Sequence, residues 1–152
     1  MKIGVISDTH GYVAPSLPLI FKDVHYILHA GDIGPISVIN FLEQIAPVIA
    51  VNGNNDWDLT FPYTKISRIE NLKLLLTHQL DMQRRSGNVW EKIFIEKPDV
   101  IVFGHTHKAT ILHEDNKLFL NPGYAGKHHQ WQRTVAILHT SEEKPQAEII
   151  SI

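Results

Sequence analysis

"KIGVISDTHG", residues 2–11, begins as an apolar, β-branched run and ends as acid, hydroxyl, imidazole and glycine. Lys2 to Ser7 reads as a buried strand, and its carboxyl end carries Asp8, Thr9, His10 and Gly11. Taken alone, this is a strand running into a turn, with Asp8 as an ordinary cap. The pattern recurs along the chain. His25 to Ala30 ("HYILHA") reads as a second strand and runs into Gly31-Asp32. Pro47 to Val51 ("PVIAV") reads as a third and runs into Gly53-Asn54-Asn55-Asp56. Leu72 to Thr77 ends at His78, and Val100 to Phe103 ends at Gly104-His105-Thr106-His107.

The intervening segments read as short helices and hairpins. Pro15 to Lys22 holds two prolines and one apolar patch, which predicts a short or broken helix. In Pro35 to Ile45 the apolar residues Ile36, Ile39, Phe41, Leu42 and Ile45 fall near helical spacing behind a helix-starting proline. Val89 to Glu96 reads as a helix stopped before Pro98. Thr64 to Ile69 and Leu72 to Thr77 read as a hairpin turning at Glu70-Asn71. Further strands are expected at Ala109 to His113, Lys117 to Leu120 and Val135 to Thr140, with an edge segment at Ala147 to Ile150. Strands alternate with helices early and dominate late, which predicts a mixed α/β sandwich rather than one parallel sheet. Residues 1–152 are expected to form a single domain, with no linker, repeat or low-complexity tract.

Composition narrows the chemistry. The net charge of -2 gives no global basic field for a nucleic-acid backbone. There is no cysteine, so disulfides and thiolate metal sites are excluded. No apolar run approaches the roughly 18 residues of a membrane span, and the N-terminus lacks a secretory pattern. A cytoplasmic protein with no membrane partner is the expectation.

In open α/β sheets, ligands bind at the carboxyl ends of strands. Here five such ends carry Asp8, His10, Asp32, Asn54, His78, His105 and His107. Each has an ordinary turn or packing reading, but five turns rich in metal-ligand chemistry, each directly after an apolar strand, favour a metal site. Imidazole and carboxylate suit Mn²⁺ first, with Ni²⁺, Fe²⁺, Zn²⁺ and Co²⁺ also compatible. These ligands are too many for one tetrahedral ion and suit two ions sharing a carboxylate. Two ions about 3.5–4 Å apart clamp the attacking and leaving oxygens of a displacement at phosphorus. A hydroxide bridging them is the natural nucleophile.

Asp8-x-His10, Gly31-Asp32, Gly53-Asn54, His78 and Gly104-His-x-His107, in this order, resemble the calcineurin-like metallophosphoesterases. The "SDTHG" opening and Asn121-Pro122-Gly123 resemble their small YfcE-like phosphodiesterase branch. The resemblance spans essentially the whole chain. It implies a four-layer α/β/β/α sandwich of two mixed β-sheets. It implies a first metal on Asp8, His10 and His107, a second on Asn54, His78 and His105, and Asp32 bridging. Asp32, Asn54 and His105 would then serve catalysis through the metals. The implied reaction is hydrolysis of a small phosphodiester or related phosphoester. The same fold also includes a eukaryotic scaffold subunit, so a non-catalytic interaction module is the competing class, and a phosphomonoesterase or nucleotide hydrolase the competing activity.

Two departures stand out. Relatives carry His or Cys after the asparagine ligand; this chain has Asn55, which can contact a phosphate oxygen but cannot donate a proton at neutral pH. Relatives also tend to read "THGH" where this chain has Thr77-His78-Gln79-Leu80. Lys127, His128, His129 and Arg133 form a cationic cluster, either a solvated loop or a substrate contact. His129 or His128 is the substitute proton donor, and Arg133 the phosphate contact. Trp57 and Trp131 are expected to pack, and His25, His29, His113 and His139 to be structural. Asp56 either orients a metal ligand or simply makes the turn. Apolar strands near the C-terminus are compatible with a homodimer.

Overall fold

A computed structural model describes residues 1–140 and 144–152. Ten strands and three short helices follow in the order β1 (Lys2–Ile6), α1 (Leu17–Ile20), β2 (Tyr26–His29), α2 (Ser37–Leu42), β3 (Val48–Ala50), β4 (Thr64–Ile69), β5 (Leu72–Thr77), α3 (Asn88–Glu96), β6 (Val100–Val102), β7 (Thr110–Glu114), β8 (Lys117–Asn121), β9 (Thr134–His139) and β10 (Gln146–Ser151). They form two five-stranded sheets, ordered β10-β9-β1-β2-β3 and β4-β5-β6-β8-β7. Both are mixed: β1, β2 and β3 run parallel while β9 and β10 run antiparallel. In the second sheet β5, β6 and β8 are parallel, and β4 and β7 are antiparallel edges. The first two helices are shorter than expected from the apolar pattern, Pro35 to Ile45 supporting only Ser37–Leu42 as helix with turns behind it, while α3 matches its expected span to within one residue. No described helix is long and apolar enough to cross a membrane.

The layers follow from the two-residue period of the strands. Ile3 and Val5 of β1 face the second sheet, where Leu74, Leu76, Val100, Val102, Leu118 and Leu120 meet them in a central core. The intervening residues point outward. Ile6, Ile27, Val135 and Ile137 pack against Leu17, Phe21, Val38 and Leu42 of the first helical layer. Leu75, Ile101 and Phe119 pack against Ile93 of α3. Three apolar interfaces thus separate four layers, α/β/β/α. Strands buried on both faces are continuous hydrophobic runs, as "KIGVI" and "LKLLLT" are.

Gly4 is the one β1 residue without a side chain to bury. A Cβ there would sit 3.0 Å from the Phe21 ring. Phe21 is fully buried and occupies the space the glycine leaves. Gly4→Val overpacks this contact, and we expect it to lower stability by about 1–3 kcal/mol. Urea unfolding compared with the wild type checks this, and an unchanged midpoint would contradict the packing described.

Candidate metal centre

The parallel strands bring their carboxyl ends to one edge of the sandwich. Hydrogen bonds between the emerging loops hold them side by side: Asp8 N donates to Gly31 O (3.0 Å), His10 N to Asp32 O (3.0 Å) and Gly104 N to His78 O (3.0 Å). The approach is close. A Cβ on Gly31 would lie 2.9 Å from the His78 Cβ, and one on Gly53 would collide with the Asp32 carboxylate. Asp8, His10, Asp32, His105 and His107 all adopt positive φ, between 46° and 67°. Side-chain-bearing residues rarely hold that conformation without compensation, and such strain collects at functional sites.

Two acid–imidazole groups result. Asp8, His10 and His107 present ligand atoms within 4.8 Å of one another, and so do Asp8, Asp32 and His78. Asp8 is common to both. Its Oδ2 accepts from Ser7 Oγ (2.6 Å) and from the His105 backbone N–H (3.1 Å). Its Oδ1 lies 3.2 Å from His107 Nε2 yet has no hydrogen-bond partner of proper geometry. His78 Nδ1 lies 2.7 Å from the Ala30 carbonyl, so Nδ1 carries a hydrogen and Nε2 is the nitrogen left to face the acids. That Nε2 is buried without a hydrogen bond, 3.4 Å from Asp32 Oδ1. A buried carboxylate oxygen and a buried imidazole nitrogen, both unpartnered, form a donor set that a divalent cation satisfies.

Electrostatics agrees with the geometry. Burial pushes the Asp8 carboxyl above the usual carboxylate range, against the pull of Ser7 and of His78 and His107. Burial would also raise Asp32, but the neighbouring His78 imidazole and the hydrogen bonds from Asn55 outweigh it and hold Asp32 below that range. Burial disfavours a charge on His78, yet Asp32 and Asp8 overcome it and raise its pKa. The local field therefore calls for positive charge at this spot.

Asn54 lies exposed, its Oδ1 receiving a long bond from Gln79 Nε2 (3.4 Å). His105 is exposed at the rim, its ring 5.2 Å from that of His78. Neither belongs to the two tight groups. Asn55 faces the acid: its backbone N–H donates to Asp32 Oδ1 (3.0 Å) and its amide to Oδ2 (2.6 Å). His128 and His129 are exposed on the loop after Gly126. Arg133 donates to the Tyr12 hydroxyl (3.0 Å) and stacks over that ring.

Asp56 resolves into a clamp. Its carboxylate accepts from Ile33 N (2.8 Å), Gly34 N (3.0 Å) and Gly53 N (2.8 Å), pinning the loop of Asp32 to the loop of Asn54. Trp57 does not pack; it is 85% exposed. Trp131 does, its ring edge-on to His107 at 4.9 Å, while Tyr124 lies under the other side at 4.7 Å. His29 lies beneath the cluster and was legible only as a strand residue. Its Nδ1 accepts from Gly31 N (3.2 Å), so its Nε2–H donates to Thr9 Oγ1 (3.0 Å), whose hydroxyl donates to Ile33 O (2.8 Å). Nothing in a one-dimensional pattern separates this histidine from the others in strands.

Residues 1–143 match the calcineurin-like phosphoesterase superfamily domain, and the chain belongs to that superfamily. A probable metallophosphoesterase of Methanothermobacter thermautotrophicus is 34% identical, covering 99% of this chain and 92% of that protein. A phosphodiesterase of Methanocaldococcus jannaschii is 31% identical, covering 99% of each. The solved structure of Vacuolar Protein Sorting 29 from Cryptosporidium parvum shares the fold, with a TM-score of 0.77 at 18% identity over 99% of this chain and 97% of that one.

His29 makes a measurable pH dependence. Burial lowers its pKa from 6.5 to about 3 in the folded chain. Between those values the unfolded chain binds a proton that the folded chain does not, so stability is lost as pH falls through this window. The slope due to this one group is about 1.4 kcal/mol per pH unit. Urea midpoints of wild type and His29→Gln, measured across that range, should show a shallower acid slope in the variant.

Proposed function

We propose that residues 1–152 act as one metal-dependent phosphodiesterase domain with a dinuclear centre. The observation that carries this reading is the pair of acid–imidazole groups sharing Asp8. In the proposed assignment Asp8, His10 and His107 hold the first ion. Asn54, His78 and His105 hold the second, and Asp32 bridges. The tight Asp8–His10–His107 group and the unpartnered Nε2 of His78 support this division. Bound ions, Mn²⁺ first among the compatible metals, would supply a bridging hydroxide nucleophile at neutral pH and offset charge on the phosphoryl oxygens.

The chain's own residues prepare the site. Ser7 and the His105 N–H fix the Asp8 carboxylate, and the Ala30 carbonyl fixes the His78 tautomer. His78 and Asn55 keep Asp32 ionised. Asn55 thereby acts on the bridging carboxylate as well as being a candidate contact for substrate. It cannot protonate a leaving oxygen, so His129 or His128 is the proposed donor and Arg133 the proposed phosphate contact. Esters with good leaving groups suit a site that relies mainly on its metals.

The competing class is a non-catalytic scaffold, and the fold likeness to Vacuolar Protein Sorting 29, at 18% identity, shows architecture alone and does not decide between the two. A single experiment separates the readings. The purified protein is loaded with Mn²⁺ or Ni²⁺, its metal content is measured, and bis(p-nitrophenyl) phosphate is assayed beside p-nitrophenyl phosphate. We expect metal-dependent turnover of the diester, reduced roughly 100-fold in Asp32→Asn. Preference for the monoester would make the protein a monoesterase. No retained metal and no turnover of either ester would leave the scaffold.

A further inference from the structure

A groove of about 810 Å³ opens beside the metal centre, between the loop after β5 and the loop joining β6 to β7. It shares His105 with the centre, and its rim residue Gln79 bonds Asn54. Leu80 and Phe103 are buried beneath it, and Met82 and Leu112 line its sides. An apolar floor with a few polar groups at the edge is the usual make-up of a site for an organic ligand, and the volume lies within the range of roughly 300–1,000 Å³ for such sites. The polar groups differ in kind. Gln79 and Gln83 offer amides that both donate and accept, Lys108 adds one cation, and Asp81 adds a carboxylate that already accepts from the Gln83 and Arg84 backbone amides.

From this we propose that the groove is the subsite for one ester substituent, and that this substituent is a flat aromatic ring bearing hydrogen-bonding groups. The inference rests on the phosphodiesterase reading above and gives it a substrate class. A phosphodiester held at the metal ligands has two organic arms, and the one directed past His105 enters this groove. The thioether of Met82 on one side and the apolar floor over Leu80 and Phe103 favour an aromatic occupant over a plain alkyl one. Gln79 and Gln83, exposed at the rim, are placed to pair with heteroatoms on such a ring. Lys108 complements the negative charge of the diester. A nucleobase meets this description, and a series of retained arms tests it.

Three diesters with one leaving group, p-nitrophenolate, differ only in the retained arm: methyl, phenyl or thymidine. We expect kcat/KM in the Mn²⁺-loaded protein to rise roughly tenfold or more from methyl to thymidine, with phenyl between. Leu112→Arg and Thr110→Trp place bulk in the groove and should collapse that ratio toward one. Phe94→Ser, on the exposed face of α3 outside the groove, should leave the ratio unchanged. A wild-type ratio near one, or a ratio the two groove variants do not alter, overturns the proposal. Equal rates for phenyl and thymidine would overturn the role of the amides. If no ester is turned over under any metal, the phosphodiesterase reading fails. Methyl NMR of Leu80, Met82 and Leu112 titrated with thymidine then decides the groove: shifts confined to these methyls, and lost in Thr110→Trp, uphold it. Shifts elsewhere or none overturn it.

Discussion

The Asp8 carboxylate sits at the seam between the two sheets. It belongs to the end of β1, yet one of its oxygens is bound by the backbone of His105, which follows β6 in the other sheet. The approach depends on Gly104, where any Cβ would collide with the Ser7 hydroxyl and press on Asp8. Asp8 is fully buried, and a buried carboxylate is costly unless its oxygens are satisfied. Ser7, the His105 amide and the facing imidazoles meet part of that demand. The remaining demand is what makes the seam a candidate cation site. The two sheets are therefore joined by apolar packing at the centre and by a polar lock at this edge.

The lock imposes its geometry on the loops around it. Five candidate ligands hold left-handed backbone conformations that cost on the order of 1–3 kcal/mol each in isolation. They persist because neighbouring elements fix them. Backbone bonds tie the β1 loop to the β2 loop, Asp56 ties the β2 loop to the β3 loop, and neutral His29 braces both from below. Rigid support of this kind holds a ligand set in place before the ion arrives, and reduces the ordering that binding must otherwise impose.

The apolar core and the polar edge have different consequences for function. The three hydrophobic layers account for the shared architecture with Vacuolar Protein Sorting 29, and say nothing of chemistry. The chemistry lies in a few loop residues. Asn55, at the position where the family resemblance implies a proton donor or a thiol, is turned onto Asp32 rather than left free. Gln79, the other departure from that implied pattern, stands between the Asn54 loop and the groove. Both residues thus fall where the acid–imidazole cluster meets its surroundings.

The sequence by itself determined the layers and the ligand-bearing ends. Runs such as "KIGVI" and "LKLLLT" are apolar on both faces because each strand is covered on both sides, and that constraint is local and periodic. The polar residues directly after them were legible because a strand's end is where its direction delivers a side chain. The length of α2 was not legible: Ile36 and Ile45 fit the periodicity, yet the helix covers only Ser37–Leu42, and Ile45 reaches the core from the turns behind it. Only the tertiary structure decided which residues serve the ligands. Asp56 acts through backbone amides of two loops, Trp57 projects into solvent while Trp131 packs on His107, and His29 supports Thr9 from a neighbouring strand. These roles depend on contacts between segments distant in the chain, and neither composition nor spacing encodes them.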